Sequence, residues 1–106
     1  MSSQCTVDVD PGVCRLHSTI TATMDDEGNI VYQGKAECKH VQELLAKIGA
    51  VSPMEEFTKP INKTKVYETA GDCLPHAACP VPCGMVKAME AAAGLGLKRD
   101  VVIKIS

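Results

Sequence analysis

Apolar and polar residues alternate through residues 14–24, with Leu16, Ile20, Ala22 and Met24 on one side and His17, Thr19, Thr21 and Thr23 on the other. A period of two, rich in β-branched residues, predicts a strand with one buried face. Asp25-Asp26-Glu27-Gly28-Asn29 is a turn, and residues 30–36 read as the returning strand of a hairpin. Residues 4–9 form a short extended segment before the turn at Asp10-Pro11-Gly12. The period then changes: Val41, Leu44, Leu45 and Ile48 follow helical spacing over residues 38–48, and Gly49 stops the helix. Residues 50–63 carry Pro53 and Pro60 and read as a connector with one turn around Met54–Phe57, followed by a short helix over residues 65–71. Met85, Val86, Met89 and Ala93 make the apolar stripe of a second main helix, residues 82–93. Pro80 and Pro82 do no harm at its start, because first-turn N–H groups lack intrahelical partners. Gly94 and Gly96 end it, and Asp100 leads into a final strand over residues 101–105.

These elements predict an α+β fold: a small two-layer sandwich, mainly an antiparallel sheet of three to four strands, with two main helices on one face. The chain reads as a single domain, residues 1–106. Alternating element directions and short connections carry a further consequence. The first firm strand starts, the hairpin ends and both main helices begin at one pole. Cys14, Cys38, Cys79 and Cys83 are therefore expected to share that pole, with Cys5 toward the other.

Composition narrows the use of such a pole. The 106 residues carry 45% hydrophobic and 23% charged residues, ordinary values for a globular chain. Tyr32, Tyr67 and Phe57 are the only aromatics, and the net charge is −2. Neither a basic groove nor a stacking platform is evident, so no nucleic-acid partner is expected. No basic flank precedes an apolar run at Met1–Asp8, and no stretch approaches the ~20 apolar residues of a membrane span, so no membrane partner is expected either. The expected address is cytoplasmic, where the six cysteines stay reduced.

The densest chemistry lies in Cys73-Leu-Pro-His76-Ala-Ala-Cys79-Pro80-Val-Pro82-Cys83. Cysteine and histidine are ligands for soft metals, and a thiol at a helix start is favoured as thiolate. Cys79 stands at such a start, in a turn made rigid by two prolines. Cys83 follows four residues later and, if Cys79 already runs in the helical direction, one turn up the same face. Cys73 and His76 extend the series. Four local ligands can close a zinc site, although their spacing is not that of paired knuckles. Thiolates from Cys14, Cys38, Cys79 and Cys83 can instead hold an iron–sulfur cluster. For each cysteine the plain alternative is a small core residue. His17 and His40 read as solvated. Cys79 with His76 lacks an orienting third group, so an enzyme is not the favoured reading.

Cys79-Pro80-Val81-Pro82, the helix after it and Lys98-Arg-Asp100-Val-Val-Ile resemble the signature of small sulfur-relay proteins of the thiouridine pathway. There a Cys-Pro-x-Pro motif opens a helix and its cysteine carries a persulfide. The resemblance covers roughly residues 79–105 and implies Cys79 as the sulfur carrier, with Pro80 and Pro82 shaping its turn. In that family the motif lies near the N-terminus, and here it is near the C-terminus. The whole chain is also similar to a small uncharacterised family of cytoplasmic proteins from anaerobic microbes, around Asp10-Pro-Gly-x-Cys14, Cys38 and Ala78-Cys79-Pro-Val-Pro through Gly94-Leu. That likeness favours Cys14, Cys38 and Cys79.

Three expectations follow. The first is a module binding zinc or an iron–sulfur cluster through Cys14, Cys38 and Cys79, with Cys83 or His76 as fourth ligand. The second is a sulfur carrier using Cys79. The third is a non-catalytic interaction domain with core cysteines. A protein partner in metal or sulfur transfer accompanies the first two, and a homodimer paired through the last strand accompanies any of them.

Overall fold

The computed structural model describes residues 3–106. Met1 and Ser2, the first residues of the segment expected to carry no leader, lie outside the described residues. The elements are β1 (Gln4–Val9), β2 (Ser18–Met24), β3 (Ile30–Ala36), α1 (Lys39–Lys47), α2 (Pro53–Glu56), a 3-10 turn at Ile61–Lys63, α3 (Lys65–Cys73) and α4 (Val81–Ala92). The fold is α+β, as its periodicity predicts.

The strands form one antiparallel sheet in the order β1-β2-β3. Val9 pairs with Ser18 and Gln4 with Thr23, while Ser18 pairs with Ala36 and Met24 with Ile30. The segment at residues 4–9 is thus a full edge strand. Asp25 sets the hairpin turn: its Oδ1 accepts the N–H groups of Glu27 and Asn29, each at 2.9 Å. The outer face carries hydroxyls and carboxylates. Thr6 and Thr21 bond through their hydroxyls at 2.7 Å, and Thr19 donates to Asp8 at 2.7 Å. Such cross-strand pairs fix register on a solvated face.

The inner face is apolar. Cys5, Val9, Ile20, Ala22, Ile30 and Tyr32 meet Val41, Leu44, Val66, Val81, Met85, Ala88 and Met89 from the helices. α4 lies over β1 and β2, α1 over β3, and α3 bridges α1 and α4. The helical layer therefore holds three main helices where the pattern predicted two. The residue 65–71 helix runs on to Cys73 and buries Val66, Ala70 and Cys73. Each large apolar side chain taken out of water is worth about 1.5–3 kcal/mol. Tyr32 is the buried aromatic at the centre, and its hydroxyl donates to the Met85 carbonyl at 2.7 Å. Burial pushes this phenol well up, and the Glu56 charge adds to the effect.

Two expectations need correction. The β2 strand starts at Ser18, four residues later than its alternation began, because residues 14–17 form a loop across the end of the sheet. Residues 101–105 pair with nothing and stay exposed, so they form no fourth strand here. Alternation gives a segment a strand's two faces, yet a strand also needs a neighbour to bond.

Candidate functional site

Where β1 ends, β2 begins, β3 ends and α1 and α4 begin, the fold leaves an open cavity of about 690 Å³. Cys14, Cys38, Cys79 and His76 all line it. The rest of its wall is largely apolar, with Val13, Leu16, Val41, Leu74 and Val81 among the lining residues. Each thiol arrives on a different element, for a local reason.

Cys14 rides the loop between β1 and β2. Asp10 opens this loop by accepting the Gly12 N–H at 3.0 Å, and the Arg15 N–H closes a turn on the Gly12 carbonyl at 3.0 Å. Arg15 sits at φ +60°, a left-handed conformation that costs a side-chain-bearing residue roughly 1–2 kcal/mol. Glu37 anchors the far end through the His17 N–H at 2.8 Å. Cys14 is therefore held between two fixed points while its side chain stays exposed.

Cys38 is the N-cap of α1, and Pro80, next to Cys79, is the N-cap of α4. Neither helix start has a side-chain cap or an acidic residue in its first turn. The two helices that start elsewhere differ. Ser52 caps α2 and Thr64 caps α3, and both have glutamate in the first turn. The helix ends facing the cavity thus keep their unpaired N–H groups and the positive pole of the dipole. Lys39 adds positive charge to the wall. The one acid among the lining residues, Glu37, is engaged by His17. A thiolate or other anionic occupant suits this electrostatic setting.

Cys79 is half-buried, and its N–H bonds to the His76 carbonyl at 3.2 Å, closing the turn that sets both residues on the cavity. Cys83 does not join them. Pro80, not Cys79, begins the helical direction, so the four-residue spacing does not stack the two thiols. Cys83 instead borders a second, smaller cavity with Tyr67, Lys87 and Glu90. There burial raises the Tyr67 phenol, and the neighbouring Cys83 adds to the shift. Cys5 lies on the inner face toward the opposite pole, paired across from Ala22. Cys73 is buried at the end of α3, where burial pushes the thiol up, with Glu43 acting in the same direction and Lys47 opposing.

All six cysteines are free. Among the described residues, no three His, Cys, Asp or Glu side chains stand close enough to grip a metal ion. His17 is exposed and faces Asp10 at 3.7 Å, whereas His40 lies on the cavity rim. Ser18 had no role in the sequence reading beyond its place in the strand, yet its Oγ is buried without a hydrogen-bond partner at the pole where the cavity lies. Its alternation with Ile20 and Ala22 was the available signal. Among the described residues, no helix is long and apolar enough to cross a membrane.

No curated protein and no solved structure gives a significant match to this sequence. The model of a family of unknown function, DUF6951, matches residues 5–105, which take in every element of the fold but for Gln4 at the start of β1, together with Cys14, Cys38, His76 and Cys79, and the chain belongs to that family.

Proposed function

We propose that this protein holds an iron–sulfur cluster in the cavity, ligated by Cys14, Cys38 and Cys79 with His76 as the fourth ligand. One observation carries the reading: three thiols far apart in sequence, together with an imidazole, line a single cavity between two uncapped helix starts. A lone zinc ion draws four ligands to about 2.0–2.3 Å and fills little space. A four-iron cluster binds each protein ligand through a different iron, so its ligands stand farther apart and occupy a wider cavity. The 690 Å³ volume favours the cluster over zinc. Thiolates bring negative charge, which the two helix dipoles and Lys39 offset. A protein that receives or donates the cluster or its electrons would be the partner.

A second reading, with Cys79 as a sulfur carrier, is favoured by its proline-framed position. Its thiolate would attack the outer sulfur of a donor persulfide, the donor leaving as a thiolate and Cys79 becoming the persulfide. Protein purified without oxygen and reconstituted with iron and sulfide separates the two. The expected result is iron and acid-labile sulfide in equal amounts, with visible charge-transfer absorption. This is lost in each of Cys14→Ser, Cys38→Ser and Cys79→Ser, and kept in Cys5→Ser and Cys83→Ser. No bound iron, together with a mass gain of one sulfur on Cys79 from a persulfide donor, would replace the first reading with the second.

A further inference from the structure

The C-terminal segment is the largest part of the chain that the fold leaves unused. α4 ends at Ala92, and Gly94 takes φ +75°, a turn that brings the Leu95 N–H onto the Glu90 carbonyl at 2.9 Å. After Leu95 the chain makes no further main-chain hydrogen bond among the described residues. Its apolar side chains stand in water, from 52% exposed at Val101 to 93% at Ile105. A run of β-branched residues with Val101, Ile103 and Ile105 on one side has a strand's pattern without a strand's partner.

The sheet has two edges. β3 is closed at both ends, at Ile30 by its bridge to Val51 and at Ala36 by the Gln42 side-chain amide on its carbonyl at 2.8 Å. Residues of β1 bond along the main chain only to β2 among the described residues, leaving the outer edge open. β1 presents Cys5, Val7 and Val9 inward at the same period, and Val7 is only partly covered. The charges also choose between the edges. The outer face of β1 carries Asp8, whereas that of β3 carries Lys35. The tail brings Lys98, Arg99 and Lys104 against a single acid, Asp100.

We infer that residues 101–105 add as a fourth strand to the open β1 edge of a second copy of this chain, and that the exchange is mutual, forming a two-fold dimer. The occupant is a second copy because every residue after Ala93 stays exposed and, among the described residues, residues 101–105 bond to no strand of their own chain. Strand addition supplies main-chain bonds, and the inward triplet Val101, Ile103 and Ile105 extends the apolar face beside Cys5, Val7 and Val9. In either strand direction Lys104 falls opposite or diagonal to Asp8, within reach for an ion pair. The inference is independent of what the cavity holds.

Sedimentation of the full chain should give a mass about twice 11.3 kDa. A chain ending at Leu97 should be monomeric with unchanged circular dichroism, since the removed residues touch no core. Ile103→Asp should weaken dimerisation at least ~10-fold, the scale of losing one buried large aliphatic side chain. Asp8→Lys should weaken it several-fold, and Lys104→Glu in the same chain should restore it. A monomeric full chain, a dimer that survives truncation, or loss of folded structure on truncation would each overturn the inference.

Discussion

Glu56 is a buried carboxylate, 4% exposed, and both of its oxygens accept main-chain N–H groups, from Lys65 at 2.8 Å and Val66 at 3.1 Å. With Thr64 accepting the Tyr67 N–H, it satisfies three of the four unpaired donors at the start of α3. A negative charge there also complements the helix dipole. Glu56→Gln keeps one acceptor but turns an amide donor toward a second N–H. The expected cost is about 1–3 kcal/mol in urea unfolding, with thiol accessibility at the cavity unchanged. A loss below ~0.5 kcal/mol, the size of an ordinary surface change, would mean that this cap is not holding α3. Nothing in the sequence marked Glu56, because its partner N–H groups lie nine and ten residues onward across a connector. The six cysteines divide for the same reason. Cys14, Cys38 and Cys79 were placed by element direction, which the sequence carries, whereas Cys83 depended on the residue at which a helix begins.

Among the elements, the hairpin and α1 were legible because each has a strong period and a clear stop. Residues 50–63 were not, since α2 and the 3-10 turn are too short to show a period and rest on the caps Ser52 and Thr64. Within β3 the informative residue is Gly34, paired with Ile20. A Cβ at this position would run into the Thr19 carbonyl oxygen and lie 2.9 Å from the Ile20 Cα. Both obstacles are backbone, which cannot turn aside as a side-chain end can. Gly34→Ala should therefore destabilise by about 1–3 kcal/mol, the range for overpacking, despite alanine's smaller loss of backbone entropy. Equal or greater stability in a thermal melt would show that β2 and β3 separate at this point without cost. The cavity itself was legible only as a pole. Directions of elements say which ends meet, but not that the loop with Cys14 stands open enough to leave 690 Å³ between them.

For the whole molecule, three acids share one direction of shift. Tyr32, Tyr67 and Cys73 are all raised, chiefly by burial, from ordinary values of 10.0 for the phenols and 9.0 for the thiol. The folded chain therefore keeps protons that the unfolded chain gives up at alkaline pH. Stability then falls as pH rises, because the unfolded state binds fewer protons. Below the ordinary thiol value of 9.0 neither state has lost these protons, and their contribution is complete and constant. Above it the decline begins with Cys73 and steepens as the phenols enter, continuing until the folded groups also ionise. Urea midpoints of metal-free protein should accordingly stay level for these groups at neutral pH and drop as pH is taken beyond 10. Cys73→Ala should remove the earliest part of the drop. Tyr32→Phe should remove a later part and also lower the neutral-pH midpoint, because the Met85 carbonyl loses its 2.7 Å donor. A midpoint that holds level beyond pH 10 would place these groups in contact with water, and the core around Tyr32 would then be open to solvent.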